Sequence, residues 1–193
     1  EKALELYYKS YKIKHDIKNK KGEAYALNNI AYVYTLQEKY DSVFTIYRRS
    51  YNIFKDLKDS GNCALVLNNI GYVFLKRNLL DSAKVYFRKT LEIRERSNDY
   101  SGLIYSYINL GELSFKQNNY AEAREYCERA YQYALKYGRP VDVKNVSNLL
   151  NEVYYMTKNY KGAYDVYRQH IVMRDSIINE ENKSEVVKQQ LRY

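Results

Sequence analysis

The sequence predicts an all-α solenoid, a right-handed superhelix of repeated helix-turn-helix units. Three observations predict it. The first is an echo at 40 residues: Asn28-Asn29-Ile30-Ala31-Tyr32-Val33-Tyr34 returns as Asn68-Asn69-Ile70-Gly71-Tyr72-Val73-Phe74, then as Ile108-Asn109-Leu110-Gly111-Glu112-Leu113-Ser114, and more weakly as Asn148-Leu149-Leu150-Asn151-Glu152-Val153-Tyr154. A fixed period of this size marks a repeat array. The second is apolar residues at helical spacing, Leu27, Ile30 and Tyr34, then Leu67, Ile70 and Phe74. The third is punctuation: 1 Pro and 7 Gly in 193 residues suit helices joined by short turns.

Each element follows from this period. Subtracting 40 from Val43, Tyr47 and Ser50 gives Ala3, Tyr7 and Ser10, so residues 1–18 read as the second helix of an earlier repeat and serve as an amino-terminal cap. First helices fall at 23–37, 63–77, 102–117 and 142–157, and second helices at 40–57, 80–97, 120–137 and 160–178. The organisation is therefore a cap at 1–20, repeats at 21–60, 61–100, 101–140 and 141–178, and a trailing helix at 179–193. Polar breaks such as Gln37-Glu38-Lys39 and Gln117-Asn118-Asn119 end one helix and cap the next. Between repeats stand Asp59-Ser60-Gly61, Ser97-Asn98-Asp99 before Gly102, and Gly138-Arg139-Pro140. There Gly is expected to take the left-handed conformation that closes a helix, and Pro140 to stop continuation. After Met173 the chain has strong helix formers and only weak apolar periodicity through Ile177, Ile178, Val187 and Leu191, which predicts one long, partly solvated helix.

Aligned at this period, the first helices carry Ala31, Gly71, Gly111 or Asn151 at one point. Twelve residues on come Val43, Ala83, Ala123 and Ala163, flanked by Tyr40, Leu80, Tyr120 and Tyr160 and by Tyr47, Phe87, Cys127 and Tyr167. Small residues let two helices approach, and large ones fill the space beside the contact. This order resembles the tetratricopeptide repeat (TPR), over almost the whole chain and in four successive copies. The usual period of that family is about 34, so these helices are longer. The early Trp of its motif is replaced by Leu27, Leu67, Tyr107 and Ser147, and its Pro after the second helix is missing. Longer repeats of this kind are similar to those of bacterial peptide-sensing regulators and kinesin light chains. The stretch Arg174-Asp175-Ser176-Ile177 with Asn179-Glu180-Glu181-Asn182 resembles the linker of membrane-anchored bacterial sensor regulators, in which a TPR sensor precedes a membrane helix and an output domain. That resemblance implies a periplasmic location; without it the array belongs in the cytoplasm.

The family resemblance implies that the first helices line a concave groove. Asn29, Asn69 and Asn109 recur there in phase, and an amide that both donates and accepts can hold a peptide backbone without regard to side-chain sequence. They can equally bridge neighbouring helices; both readings stand. Leu149 breaks the ladder in the fourth repeat. Of the 25 tyrosines, Tyr34, Tyr40, Tyr47, Tyr120 and Tyr160 read as core, whereas Tyr25, Tyr32, Tyr72 and Tyr105 are ligand candidates with large area and a polar tip. Lys76 and Lys116 can meet an acidic group or simply complement a helix C-terminus. A peptide or protein segment is the expected partner, with a homodimer through the end helices as the alternative.

Other chemistry finds no footing. His170 takes the place of Ser50, Thr90 and Ala130 and reads as packing, and His15 joins no metal-binding pattern. Cys63 and Cys127 fall at non-equivalent points and make neither a disulfide framework nor a zinc site. No nucleophile elbow or phosphate-cradling loop occurs, Glu180-Glu181 lie on a solvated tail, and neither enzyme activity, a cofactor nor a metal is expected. The net charge is +9, densest over 9–21 and otherwise distributed along every repeat. This reads as a solvated Lys-rich surface; nucleic-acid binding ranks last, since the array has no recognition-helix motif. No apolar run of about 18 residues occurs, so no span is expected within the segment. No leader is visible, and the chain opens on Glu1, as a piece cut from a longer protein does.

Overall fold

A computed structural model describes residues 2–190; Leu191, the last apolar residue of the expected tail periodicity, lies outside them, as do the remaining ends of the cap and tail ranges. The described residues form helices α1 (Lys2–Asp16), α2 (Lys20–Leu36), α3 (Val43–Asp56), α4 (Ser60–Lys76), α5 (Leu80–Arg96), α6 (Tyr100–Lys116), α7 (Tyr120–Tyr137), α8 (Pro140–Met156) and α9 (Tyr160–Gln190), and no strand. The fold is the all-α helical-repeat solenoid expected. The first helices begin two or three residues earlier than the periodicity indicated: Asn19, Asp59 and Asp99 cap α2, α4 and α6, and Pro140 opens α8.

The helices fall into two units, 1–98 and 99–193. In unit 1 each helix packs on the next from α1 to α5; in unit 2 the same holds from α6 to α9. The expected even spread of charge does not hold between them. Unit 1 carries 19 Lys and Arg against 11 Asp and Glu, a net +8, whereas unit 2 carries 13 against 12, a net +1.

The turns run to a cadence of 20 residues. Lys18, Glu38, Lys58, Asn78, Asn98, Asn118 and Lys158 all have positive φ, between 52° and 58°. In six of these turns the next residue reaches back across the helix end: Asn19 N to Lys14 O at 2.8 Å, Lys39 N to Tyr34 O at 3.0 Å, Asp59 N to Phe54 O at 2.9 Å, and likewise Leu79, Asn119 and Asn159. This is the left-handed closure that satisfies the last carbonyls of a helix. That same residue then caps the helix that follows where its side chain allows. Asn19 accepts from Gly22 N at 2.8 Å, Asp59 from Asn62 N at 3.1 Å, Asp99 from Gly102 N at 2.9 Å, and Asn159 from Gly162 N at 3.1 Å. Glycine does not take the left-handed role expected of it. Among the described residues no Gly has positive φ; Gly61 and Gly102 sit inside α4 and α6, and Gly138 is extended. Pro140 opens α8, where its missing N–H and fixed φ are suited to the first turn.

The small–large register is realised in three repeats and reversed in the fourth. Ala31, Val43 and Tyr47 are fully buried with Phe54, Val66 and Val73, and Ala123 and Cys127 with Leu150 and Val153. A Cβ on Gly71 would come within 2.6 Å of Phe87 Cε1, and one on Gly111 within 2.6 Å of Cys127 Sγ, so the small residues make the contacts possible. At the fourth copy Asn151 donates through Nδ2 to Ala163 O at 2.8 Å and fills the gap itself. Tyr167 therefore does not pack as Tyr47 and Phe87 do; it is exposed, stacked on His170 at 6.4 Å, and Val166 is buried instead. Tyr160, expected in the core, is also exposed. Burial pushes the Cys127 thiol up to about 12, which makes it a small core side chain and not a nucleophile. His170 Nδ1 lies 3.0 Å from Lys144 O, at the place where Ser50 Oγ donates to Ala24 O at 2.8 Å and Thr90 Oγ1 to Ala64 O at 3.4 Å. It ties second helix to first, as packing residues do.

Candidate ligand-binding surface

In unit 1, α1 and α2 flank an open cavity of about 420 Å³ lined by Tyr7, Ser10, Lys14, Lys21, Tyr25 and Asn29 among others. Gly22 makes room for it: a Cβ there would meet the Lys14 methylenes at 2.8–2.9 Å. Tyr25 is held edge-on against Phe54, with ring centroids 5.1 Å apart. Lys21 forms an ion pair with Asp59 at 2.8 Å, and the hydrogen bond and charge of Asp59 raise the pKa of Lys21. Asn29 is half-buried on this wall. The cavity thus offers an amide, phenol groups and ammonium groups, a set that suits a carboxylate or a peptide backbone.

The second cluster of unit 1 joins α2 and α4. Tyr32 is exposed, with its ring 6.5 Å from that of Tyr72, and Lys76 lies 5.2 Å over the Tyr72 ring. Beside it Asn69 Nδ2 donates to Asn28 Oδ1 at 2.9 Å, and Asn28 is buried. Asn69 therefore bridges two first helices, whereas Asn29 faces a cavity; the in-phase asparagines do not share one environment.

In unit 2, the Tyr105 hydroxyl donates to Asp142 Oδ1 and accepts from Arg139 Nη2 at 2.9 Å. Asp142 is 4% exposed, and its Oδ2 also accepts from the Arg139 backbone N at 2.9 Å. Burial pushes the Asp142 carboxyl up, but the hydrogen bonds from Tyr105 and Arg139 prevail and hold it below the ordinary carboxylate value. Tyr105 thus spends its polar tip on a helix start. Asn109 is half-buried and has a partner of its own. Lys116 is exposed at the end of α6.

Two features escaped the sequence. The first is a cavity of about 1020 Å³ in unit 1, lined by Tyr8, Tyr34, Tyr40, Phe44 and Arg77 among others. It lies at the start of α3, which begins at Val43, three residues later in its repeat than α5, α7 and α9 begin in theirs. The periodicity expects this helix from residue 40, where Tyr40, Asp41 and Ser42 instead line the cavity. Tyr8 and Tyr34 share a hydrogen bond of 2.9 Å, which together with burial pushes Tyr8 up to about 12. The second is Glu23, 2% exposed, which meets Lys20 at 3.1 Å, Arg49 at 3.2 Å and His15 at 3.4 Å. Burial raises its pKa, but the hydrogen bonds and charges of Lys20 and His15 prevail and lower it. No grouping of acidic, His and Cys side chains able to hold a metal occurs among the described residues, and no helix there is long and apolar enough to cross a membrane.

Two family models, both described as tetratricopeptide repeat, match residues 22–96 and 104–137, together more than half of the chain. No curated protein matches the sequence. Among solved structures, the crystal structure of BtubC (BKLC) from P. vanneervenii is similar with a TM-score of 0.73 at 19% identity, over 91% of this chain and 73% of that one. The apo form of RapI is similar with a TM-score of 0.68 at 23% identity, over 92% of this chain and 63% of that one. The chain thus spans less than two thirds of the length of RapI, and at such identities the likeness is one of fold.

Proposed function

The chain belongs to the tetratricopeptide repeat family, and from that premise we propose that it is a non-enzymatic module that takes a peptide or protein segment on its first-helix face, with the α1–α2 cavity of unit 1 as its principal anchor. Repeat arrays of this kind bind partners over extended surfaces. The observation that carries the assignment is the wall shared by Asn29, Tyr25, Lys14 and Lys21 around open space. The net +8 of unit 1 favours a segment with acidic side chains or a free carboxyl terminus. Tyr32, Tyr72 and Lys76 extend the surface along the same unit. In unit 2, Tyr105, Asn109 and Lys116 are the corresponding candidates.

The resemblance of the tail to sensor-regulator linkers supports a sensing role within a larger signalling protein. Under that reading α9 carries the binding event onward, and the array lies outside the cytoplasm.

The test is a screen of immobilised random peptides with free or amidated carboxyl termini against the chain. Retained peptides should lose binding at least tenfold on Asn29→Ala with Tyr25→Ala, while helicity stays unchanged. A tenfold loss corresponds to about 1.4 kcal/mol. Unaltered affinity in the double variant would overturn the assigned anchor. Binding that is steeply salt-dependent and indifferent to peptide, but strong for polynucleotides, would favour the nucleic-acid reading instead.

A further inference from the structure

We infer that two copies of this chain pair through α9, laid antiparallel, each copy covering the exposed tyrosine face of the other with the half of its helix that runs past α8. The face comes first. Along α9 the residues Tyr160, Tyr164, Tyr167, Ile171, Arg174 and Ile178 stand at alternating intervals of four and three. This is the spacing of a two-helix seam, in which five of the six positions here are apolar or aromatic. Tyr160, Tyr164, Tyr167 and Ile178 are 60%, 62%, 52% and 46% exposed. An open row of this kind on a helix is unusual unless another surface covers it.

The repeat itself says what kind of surface belongs there. Cys127 on α7 holds the place that Tyr167 holds on α9, and it is fully buried together with Leu150 and Val153 of α8. Arg124, the equivalent of Tyr164, lies 5.6 Å over the Tyr154 ring of α8, and Glu128, the equivalent of Arg168, accepts from the Tyr154 hydroxyl at 2.8 Å. The side of α7 that α8 covers thus recurs on α9 as a continuation of an existing helix–helix interface, and its natural occupant is a helix. The charge is inverted at one point: Arg168 stands where Glu128 stood. The occupant needs an acidic group there.

The second half of α9 is such a helix. α8 has 17 residues and α9 has 31, so about 14 residues, or roughly 21 Å, extend past the helix it packs on. Every described side chain from Ile178 onward is exposed. Residues 160–174 carry three basic residues against one acidic, and residues 175–190 carry four acidic against two basic. An antiparallel pair centred near Ile171 sets the positive half of each copy against the negative half of the other, with Lys161 and Arg168 across from the stretch that begins at Asp175 and includes Glu180. A parallel pair would set Arg174 on Arg174 within the seam and like charges along its flanks, which disfavours it.

The experiment is sedimentation velocity on the 193-residue chain over a wide concentration range. The mass should rise with concentration to twice the chain's 23.1 kDa. Tyr164→Glu with Tyr167→Glu should hold it at a single chain mass with unchanged helicity, since both side chains are exposed and no core is opened. A chain that is monomeric at every concentration overturns the pairing, as does a dimer that survives the double variant, and so does a monomer whose α9 face captures a helix of another protein. Orientation is read by disulfide trapping, for which Cys63 and Cys127 are silent because both are buried. Ile171→Cys, at the middle of the seam, should cross-link at the symmetry axis and Tyr164→Cys should not. A Tyr164→Cys cross-link would overturn the antiparallel arrangement. None of these outcomes depends on the peptide anchor in unit 1.

Discussion

Gly71 in unit 1 and Asn151 in unit 2 occupy the same place in the repeat and send the aromatic partner in opposite directions. With no side chain at Gly71, Phe87 is fully buried against α4. With an amide at Asn151, bonded across to Ala163, the equivalent Tyr167 faces solvent. The residue at this position thus goes with whether the second helix turns its ring to the interior or to solvent. The ring positions alone did not distinguish the two outcomes. Each unit also buries one carboxylate near the start of a first helix, Glu23 beside Lys20, Arg49 and His15, and Asp142 beside Arg139 and Tyr105. The units therefore share a device while differing in charge and in how their rings are used.

The comparison breaks most strongly at Gly71. Gly71→Leu forces atoms into the space of Phe87 and should cost about 3 kcal/mol, the upper part of the range for overpacking. Urea denaturation reads this, and Phe87→Ala in the same background should recover part of the loss; an unchanged midpoint would show that α4 and α5 are not in the contact described. A smaller effect is expected at Asn151. Asn151→Ala removes one hydrogen bond between α8 and α9 and should cost about 1 kcal/mol, the usual net value of such a bond. A variant as stable as the parent would show that the amide does not hold Tyr167 out. The smallest effect concerns pH. Glu23 and Asp142 both have carboxyl groups held below their ordinary values, so the stability they supply is present near neutrality and lost as pH falls below about 4, where the unfolded chain binds more protons. Glu23→Gln should flatten the acid limb of the stability profile contributed by unit 1, and Asp142→Asn that of unit 2. Identical acid limbs in parent and variants would sink the idea that these pairs carry the pH dependence.

The array was legible because its information is local and repeated. The apolar spacing of Leu27, Ile30 and Tyr34, and the asparagine and aspartate caps, each lie within a few residues of the structure they dictate. What escaped lies across helices. The Asn69 amide reaches Asn28, and Arg49 reaches Glu23, over sequence separations of 41 and 26 that no single stretch of chain reveals. The proposed anchor was partly legible. Asn29 and Tyr25 were singled out by their recurrence, but their cavity depends also on Lys14 of α1, which no periodicity marked, and on Tyr7, which the period marked only as the equivalent of Tyr47. Tyr160 and Tyr167 were misread because equivalent positions were taken to have equivalent neighbours, whereas the described residues place no further helix against α9 and Asn151 fills the gap.

The 20-residue beat of left-handed turn residues sets the arithmetic by which such a chain can change. One residue inserted into any helix turns everything beyond it by about 100° and swings its buried stripe toward water. A loss or gain of 40 returns every closure, cap and buried stripe to its place. Lineages of this chain should therefore vary in length by whole steps of that measure. Single-residue slippage should be tolerated only where the beat is already interrupted, at the extended stretch Gly138-Arg139 before Pro140.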